Sequence, residues 1–412
     1  MIKVCDAIMG TGKTNAAITY MNEHPERKFI YITPYLDEAH RIVENCPGLR
    51  FIEPNNRIER YNFKKTLHAE ALLREGRNIS TTHSAFKRYT PDMLKLIKEN
   101  EYTLIIDENV DVLDKLEASP YDLELVVNAG YMKENNGVYT LTDKEYKGKA
   151  LSDDLLDVAK SRSLIRIGDE IYYWILPKDL ITSFKDVIIL TYLFKGQSLH
   201  SFLEIYKLDY ETIGVEYNNG RYAFCSNSRT SGYTPAYVNT LRSRIHLLDD
   251  PRMNSVGDNY HALSINWFNK EQDGVRQLQK NIYNCFNNIW RKCSASKKMW
   301  GTYKSSANKL KGKGYTKAHL MFNTKATNKY RDRDCLVYAT NIFMNVNEKK
   351  LYYHYGIEVD EDAYALSIMV QWIWRSAIRD GRDIYIYLPS RRMRELLINW
   401  IDSVSEEVTC IA

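Results

Sequence analysis

The N-terminal part of the chain alternates short apolar runs with segments of helical periodicity. Ile2 to Cys5 is a short apolar strand that leads into a helix-forming segment starting near Thr14. Lys28-Phe29-Ile30-Tyr31-Ile32-Thr33-Pro34 reads as a buried strand. Thr33 is placed as an N-cap there, with Pro34 as the first residue of a helix that carries Leu36 to Asn45. A further strand ends at Ile79-Ser80-Thr81-Thr82-His83 and opens a helix, and Thr103-Leu104-Ile105-Ile106 is an apolar strand closed by Asp107 and Glu108. Strands alternating with helices predict a parallel sheet whose ligand-binding groups lie at the strand C-termini.

The pattern changes over residues 113–180, which are charged and turn-rich with short strand-like pieces at Val138 to Leu141 and Glu170 to Trp174. They read as an insertion or small subdomain. The core sheet resumes at Asp186 to Tyr192, where Thr191 ends a strand at a place from which it could sense a terminal phosphate. Leu208 to Asp250 is polar and rich in turn residues, so a domain boundary is expected there. The expected division is 1–207 and 208–412. The second unit is again α/β, with strands at Ala262 to Trp267, His319 to Phe322, Cys335 to Tyr338 and Asp383 to Leu388, and a helix from Gln272 to Arg291.

At 412 residues the chain can bury a large core, and 44% hydrophobic with 26% charged residues fits a soluble globular protein. No apolar run is long enough to span a bilayer, and the N-terminus leaves no room for a cleavable signal, so a cytoplasmic location is expected. The seven cysteines are scattered without a C-x-x-C pair. They read as reduced thiols rather than a disulfide framework or zinc site. The net charge of +5 is modest, but between Arg291 and Arg333 lie eleven further lysines and arginines against the single acid Asp332. Such a block, which includes Lys309, Lys311 and Lys313, suits a polyanion. The interleaved Trp290, Trp300, Tyr303 and Tyr315 suit stacking on bases. A solvated basic loop is the other reading of the same residues.

Three constellations carry chemistry. Ala7-Ile8-Met9-Gly10-Thr11-Gly12-Lys13-Thr14 is a phosphate cradle of the form A-x-x-G-x-G-K-T, between strand and helix as the motif demands. Gly10 and Gly12 permit the tight turn that brings the N–H groups of this loop, Thr11 included, close to phosphate oxygens, and the helix dipole favours the negative charge. Lys13 would reach the β- and γ-phosphates of a nucleotide and the Thr14 hydroxyl would bind Mg²⁺. Asp107 would hold the same ion through water while Glu108 orients and polarises an attacking water. Late in the chain, Gln371, Arg375 and Arg379 are spaced to share one helix face, presenting two guanidinium groups to a transferring phosphoryl group.

Taken in order, these segments resemble the motor core of superfamily 2 helicases, and specifically the compact helicase-like proteins encoded by tailed bacteriophages. Ala7 to Thr14 is similar to motif I, Thr33-Pro34 to motif Ia, Thr81-Thr82-His83 to motif Ib, Asp107-Glu108 to motif II and Leu190-Thr191-Tyr192 to motif III. Ala326-Thr327-Asn328 falls where motif V would, and Gln371 to Arg379 where motif VI would. Asn109-Val110 departs from the usual continuation of motif II, and the second arginine of motif VI comes one position late, at Arg379. The resemblance implies two RecA-like domains with ATP and Mg²⁺ between them, and Arg375 and Arg379 reaching phosphates held by the first. It implies nucleic acid, DNA more than RNA, gripped through its backbone by Thr33, Thr82 and the basic block. It also implies a monomeric motor in phage replication or recombination, working with proteins of those processes in the host cytoplasm.

Three other readings share these residues. One is a duplex-translocating or remodelling ATPase that does not separate strands. Another is a nucleotide-gated nucleic-acid-binding protein, which could dispense with Glu108. The third is a packaging ATPase, although the C-terminal half shows no obvious carboxylate cluster for a two-metal nuclease.

Overall fold

In the computed structural model of the chain, residues 1–116, 120–135, 138–144, 146, 148, 156, 159, 164–167, 171–227, 235–291, 293–324 and 329–409 are described. The apolar runs of the N-terminal region become β1 (Ile2–Asp6), β2 (Phe29–Thr33), β3 (Ile79–Thr82) and β4 (Thr103–Asp107). Every residue of β2 and β4 is buried, as expected of parallel strands covered on both faces. The 113–180 region is a separate antiparallel sheet of β5 (Leu113–Leu116), β6 (Met132–Asn135), β7 (Val138–Leu141), β8 (Leu164–Ile167) and β9 (Ile171–Ile175), in the order β5-β9-β8-β7-β6. Its own small core gathers Leu123, Val126, Met132, Tyr139, Ala159 and Leu164.

The main sheet resumes at β10 (Asp186–Thr191) and continues with β11 (Tyr210–Asn218) and β12 (Arg221–Cys225). Its order is β12-β11-β1-β10-β4-β2-β3, parallel throughout except for the β11–β12 hairpin. The register decides the chemistry. Asp6 pairs with Thr191, Leu190 with Asp107 and Thr33 with Thr82, so the polar strand ends line up along one edge of the sheet. The expected boundary after residue 207 differs from this arrangement, because β11 and β12 lie beyond it and still complete the first sheet. Ile213 and Val215 point into the core while Glu211 and Tyr217 are exposed, so a one-sided edge strand reads as polar linker in the sequence.

The second sheet is parallel, in the order β13-β16-β15-β14, built from β13 (Ile245–Leu247), β14 (Lys298–Gly301), β15 (Cys335–Tyr338) and β16 (Ile384–Tyr387). The chain divides into two compact units. One comprises Met1–Ala7, Gly12–Thr230 and Asn345–Val359, and the other comprises Ile8–Thr11, Ser231–Met344 and Asp360–Ala412. The fold class is thus the expected α/β with two parallel-sheet units and an insertion in the first. Helix Val346–His354, far along the sequence, packs against β8 of the first unit. Among the described residues no helix is long and apolar enough to cross a membrane.

Two expected strands of the second unit are not strands. Ala262 to Trp267 is a turn followed by helix Ile265–Lys270, because the Ser264 hydroxyl accepts from the Trp267 N–H at 3.3 Å and starts the helix. His319 to Phe322 makes one bridge to Trp300 and then turns, with Thr324 N–H bonded to the Met321 carbonyl. The helix expected from Gln272 runs to Asn284 and continues as a π-helical turn, Cys285–Ile289.

The aromatic residues of the basic block are not a stacking surface. Trp300 and Tyr315 are 0% and 2% exposed, and Trp290 and Tyr303 pack against the same core. Trp300 Nε1 donates to the Tyr315 carbonyl at 3.0 Å, and the Tyr315 hydroxyl donates to Leu310 at 2.7 Å. β14 carries Trp300 into the sheet, and Tyr315, outside any strand, packs on the same core. Trp300→Ala is therefore expected to destabilise the second unit by about 3–5 kcal/mol, and the exposed Lys311→Ala by less than about 0.5 kcal/mol. Denaturant unfolding followed by circular dichroism checks this, and similar small losses for both would return Trp300 to the surface.

Candidate nucleotide-binding site

The loop between β1 and helix Lys13–Glu23 has the backbone a phosphate cradle requires. Gly10 and Gly12 adopt φ of 85° and 90°, in the left-handed region open mainly to glycine. At Gly12 space forbids a side chain as well, since an added Cβ would come within 2.2 Å of the Tyr222 ring on β12. The Thr11 hydroxyl donates to the Ile8 carbonyl at 2.8 Å, and the Thr11 N–H reaches the same carbonyl at 3.4 Å. Gly12 is the N-cap of the helix and brings no side-chain cap to it, and a helix N-terminus of this kind suits an anion.

Where helix Lys13–Glu23 begins, the sheet edge of the first unit gathers charge. Asp107 Oδ2 accepts from the Tyr31 hydroxyl at 2.5 Å and from the Thr14 hydroxyl at 3.2 Å, while its carbonyl meets His83 Nε2 at 3.0 Å. Burial pushes the Asp107 carboxyl up to about 6, against the lowering effect of the Tyr31 hydrogen bond. The same burial raises the Asp6 carboxyl above its ordinary range. Lys13 donates to the Ala7 carbonyl, and desolvation lowers its ammonium while Cys5, Asp107, Asp6 and Glu108 act in the opposite sense. Glu108 sits at φ 64°, a left-handed conformation uncommon for a residue with a side chain, with its N–H bonded to the Leu190 carbonyl at 3.0 Å.

Thr191 is buried and donates to Gln197 Oε1 at 2.6 Å, and Gln197 Nε2 donates to the Tyr192 carbonyl. Asp6 Oδ2 accepts from the Phe194 N–H at 3.1 Å, and the Ala7 N–H donates to the Thr191 carbonyl at 3.1 Å. The loop after β10 is thereby tied to the start of the cradle. The set is one of hard donors, a hydroxyl from Thr14 and a carboxylate from Asp107 beside a helix N-terminus, a combination that fits Mg²⁺ with a triphosphate. Sequence reasoning missed Tyr31, Asp6, Gln197 and Tyr222. Nothing in a buried strand distinguishes a tyrosine that aims at a neighbouring carboxylate from one that only fills space.

Other expected site residues lie in less regular surroundings. Gln371 belongs to helix Glu361–Ile373, but that helix ends before Arg375, so the three residues do not share one helical face. Ser376 is extended (φ −89°, ψ −170°), its hydroxyl donates to the Ile373 carbonyl at 2.6 Å, and Arg379 falls in a separate 3₁₀ turn, Ala377–Asp380. Self-capping by a serine thus stops the helix at the point where the spacing runs on. Arg375 is 5% exposed. Thr33 is fully buried at the end of β2, and the helix it was expected to cap begins at Leu36. Thr82 caps helix His83–Phe86, accepting from the Ala85 N–H at 3.4 Å. Lys309, Lys311 and Lys313 are exposed, with Lys309 Nζ donating to the Phe268 carbonyl at 2.7 Å. Ala326-Thr327-Asn328 lies outside the described residues.

Residues 239–401 match the family described as the YonV C-terminal Rossmann-like domain. Over 411 residues the chain is 40% identical to the SPbeta prophage-derived uncharacterized protein YonV of Bacillus subtilis (strain 168), covering 98% of this chain and 99% of that one. Among solved structures it resembles S. tokodaii Xpd4 with a TM-score of 0.47 and 13% identity, over 97% of this chain and 94% of the other. It also resembles a DEAD box protein from Methanococcus jannaschii with a TM-score of 0.27 and 11% identity, over 98% and 86%.

A carboxyl raised to about 6 predicts a pH limit. For Asp107 the native state holds its proton more tightly than the unfolded chain, so its contribution to stability declines as pH rises from about 4 through about 6. Cation binding needs the ionised form, so Mg²⁺ affinity should fall as pH drops below about 6. Tyr31→Phe removes the hydrogen bond that favours the carboxylate and should move that midpoint to higher pH. Mg²⁺ titration by calorimetry across pH checks this, and an unmoved midpoint would show that Tyr31 does not govern Asp107.

Proposed function

This chain belongs to the YonV family, and from that premise and the chemistry around Asp107 we propose that it is an ATP-dependent nucleic-acid motor of superfamily 2 helicase type. In this reading it is encoded by phage or prophage and acts on DNA in replication or recombination. The observation that carries the reading is the convergence of Thr14 and Tyr31 on one oxygen of Asp107, beside a glycine turn that opens a helix N-terminus. The cradle N–H groups and Lys13 bind the phosphates, and Thr14 and Asp107 would hold Mg²⁺. The ion would neutralise charge developing on the β- and γ-oxygens. Glu108, fixed in a strained backbone next to Asp107, takes a proton from the attacking water as the γ-phosphoryl group passes to it and ADP leaves. A nucleotide switch without turnover has no use for that strained carboxylate. Thr191, anchored through Gln197, is in position to pass a change at the phosphates to the loop after β10. Arg375 and Arg379 are the cations proposed to stabilise the transition state, with Gln371 beside them in sequence.

Nucleic acid is gripped through its backbone by Thr82 and by Lys309, Lys311 and Lys313. The exposed lysines, rather than the core-packed aromatics of the same block, supply the attraction in this reading.

Lys13→Ala should abolish ATP binding, whereas Glu108→Gln should keep binding and lower turnover by about 10²–10⁴-fold. Nucleotide fluorescence titration and phosphate release separate the two, and hydrolysis retained in both variants would remove the site assignment. Neutralising Lys309, Lys311 and Lys313 together should reduce the slope of log affinity for single-stranded DNA against log salt by about 2. An unchanged slope would make that segment a solvated loop.

A further inference from the structure

Two of the cysteines that look scattered in the sequence meet in the second unit. Cys293 follows the π-helical turn, its N–H bonded to the Trp290 carbonyl at 2.8 Å, and Cys335 opens β15. β14 and β15 pair in parallel with Lys298 opposite Cys335, and the Asp334 N–H donates to the Lys297 carbonyl at 3.0 Å. That register places Asp334 and Cys335 beside the segment that leads out of Cys293. The two sulfurs and an Asp334 carboxylate oxygen all lie within 4.8 Å of one another. The Cys293 thiol donates to the Ser294 carbonyl at 3.7 Å. Cys335 is buried, while Cys293 and Asp334 are half-buried, so the group is walled on one side and open to water on the other.

We propose that Cys293, Asp334 and Cys335 form a binding site for a thiophilic divalent cation of the zinc class, with water as the fourth ligand. A tetrahedral ion with sulfur at about 2.3 Å and carboxylate oxygen at about 2.0–2.2 Å requires donor atoms separated by a little under 4 Å, within the spread observed here. Two thiolates select against Mg²⁺, which takes oxygen, so this site and the nucleotide site do not compete for one ion. Binding converts two thiols to thiolates and releases their two protons. Three negative ligands around a dication leave one net negative charge. Lys297 Nζ, 3.9 Å from Asp334 Oδ2, is placed to offset it.

The position gives the site a structural consequence. Cys293 and Cys335 stand at the two ends of the lysine-rich segment, so a shared ion would close its base. Arg333 already ties those ends by donating to the Ala295 and Lys298 carbonyls. A cross-link here removes the freedom of a long loop in the unfolded chain and should stabilise the surface that carries Lys309, Lys311 and Lys313.

The test is titration of the full-length, reduced protein with Cd²⁺, followed by its thiolate charge-transfer absorption, with competition by Zn²⁺ and parallel measurement of proton release. One equivalent should develop the band, about two protons should be released per ion, and Zn²⁺ should displace it. Cys293→Ser and Cys335→Ser should each abolish the one-equivalent band, Asp334→Asn should weaken binding at least about tenfold, and Cys225→Ser should leave it intact. Cys293 is half-buried, so its variant reports even if Cys335→Ser folds poorly. No band at one equivalent, a band that survives Cys293→Ser, or a Cys293–Cys335 disulfide that persists under the reducing conditions would overturn the proposal.

Discussion

A carboxylate buried at the end of a strand is the constraint on which the first unit turns. An ionised Asp107 out of contact with water would be strongly unfavourable, and its raised proton affinity measures that cost. Two hydroxyls offset part of it. The Tyr31 hydrogen bond favours the carboxylate against that burial without cancelling it, and Thr14 donates to the same oxygen. What remains is a group poised to gain from a cation. Tyr31 can reach Asp107 only because β2 lies beside β4, with Tyr31 opposite Ile105 two residues before the carboxylate. Thr14 can do so only because the cradle helix opens over the same edge. The sheet order is therefore part of the site chemistry.

The same edge explains why Asp6, Thr191 and Gln197 matter although none offers a reactive group to solvent. Asp6 holds the Phe194 N–H and Gln197 holds Thr191, so a network of buried hydrogen bonds joins the strand before the cradle to the loop after β10. Such networks favour discrete arrangements over gradual deformation.

How much of this could be read from the sequence depended on whether a local pattern had one physical meaning. β2 and β4 were legible because strands buried on both faces must be apolar throughout. The cradle was legible because only glycines tolerate its backbone. Asp107 and Glu108 were legible because carboxylates after a buried run emerge at a strand end. Where one pattern serves two environments, reading failed. β11 alternates like any exposed hairpin, yet its buried face completes the first sheet. Trp300 and Tyr315 sit among lysines, but the pairing of β14 turns Trp300 inward and Tyr315 packs on the same core from a turn. The spacing of Gln371, Arg375 and Arg379 is helical, but Ser376 ends the helix through its own side chain. The meeting of Cys293 with Cys335 had no sequence signature at all, since it arises from the register of β14 on β15.

The claim that the Asp107 edge drives a polymer-coupled motor is tested most directly by steady-state phosphate release from ATP and Mg²⁺. The measurement is made in the absence of nucleic acid and with single-stranded DNA, duplex DNA or RNA over a range of concentrations. Slow basal turnover that rises saturably with DNA and less with RNA is expected. A rate indifferent to every polymer, or no turnover under any condition, would contradict it.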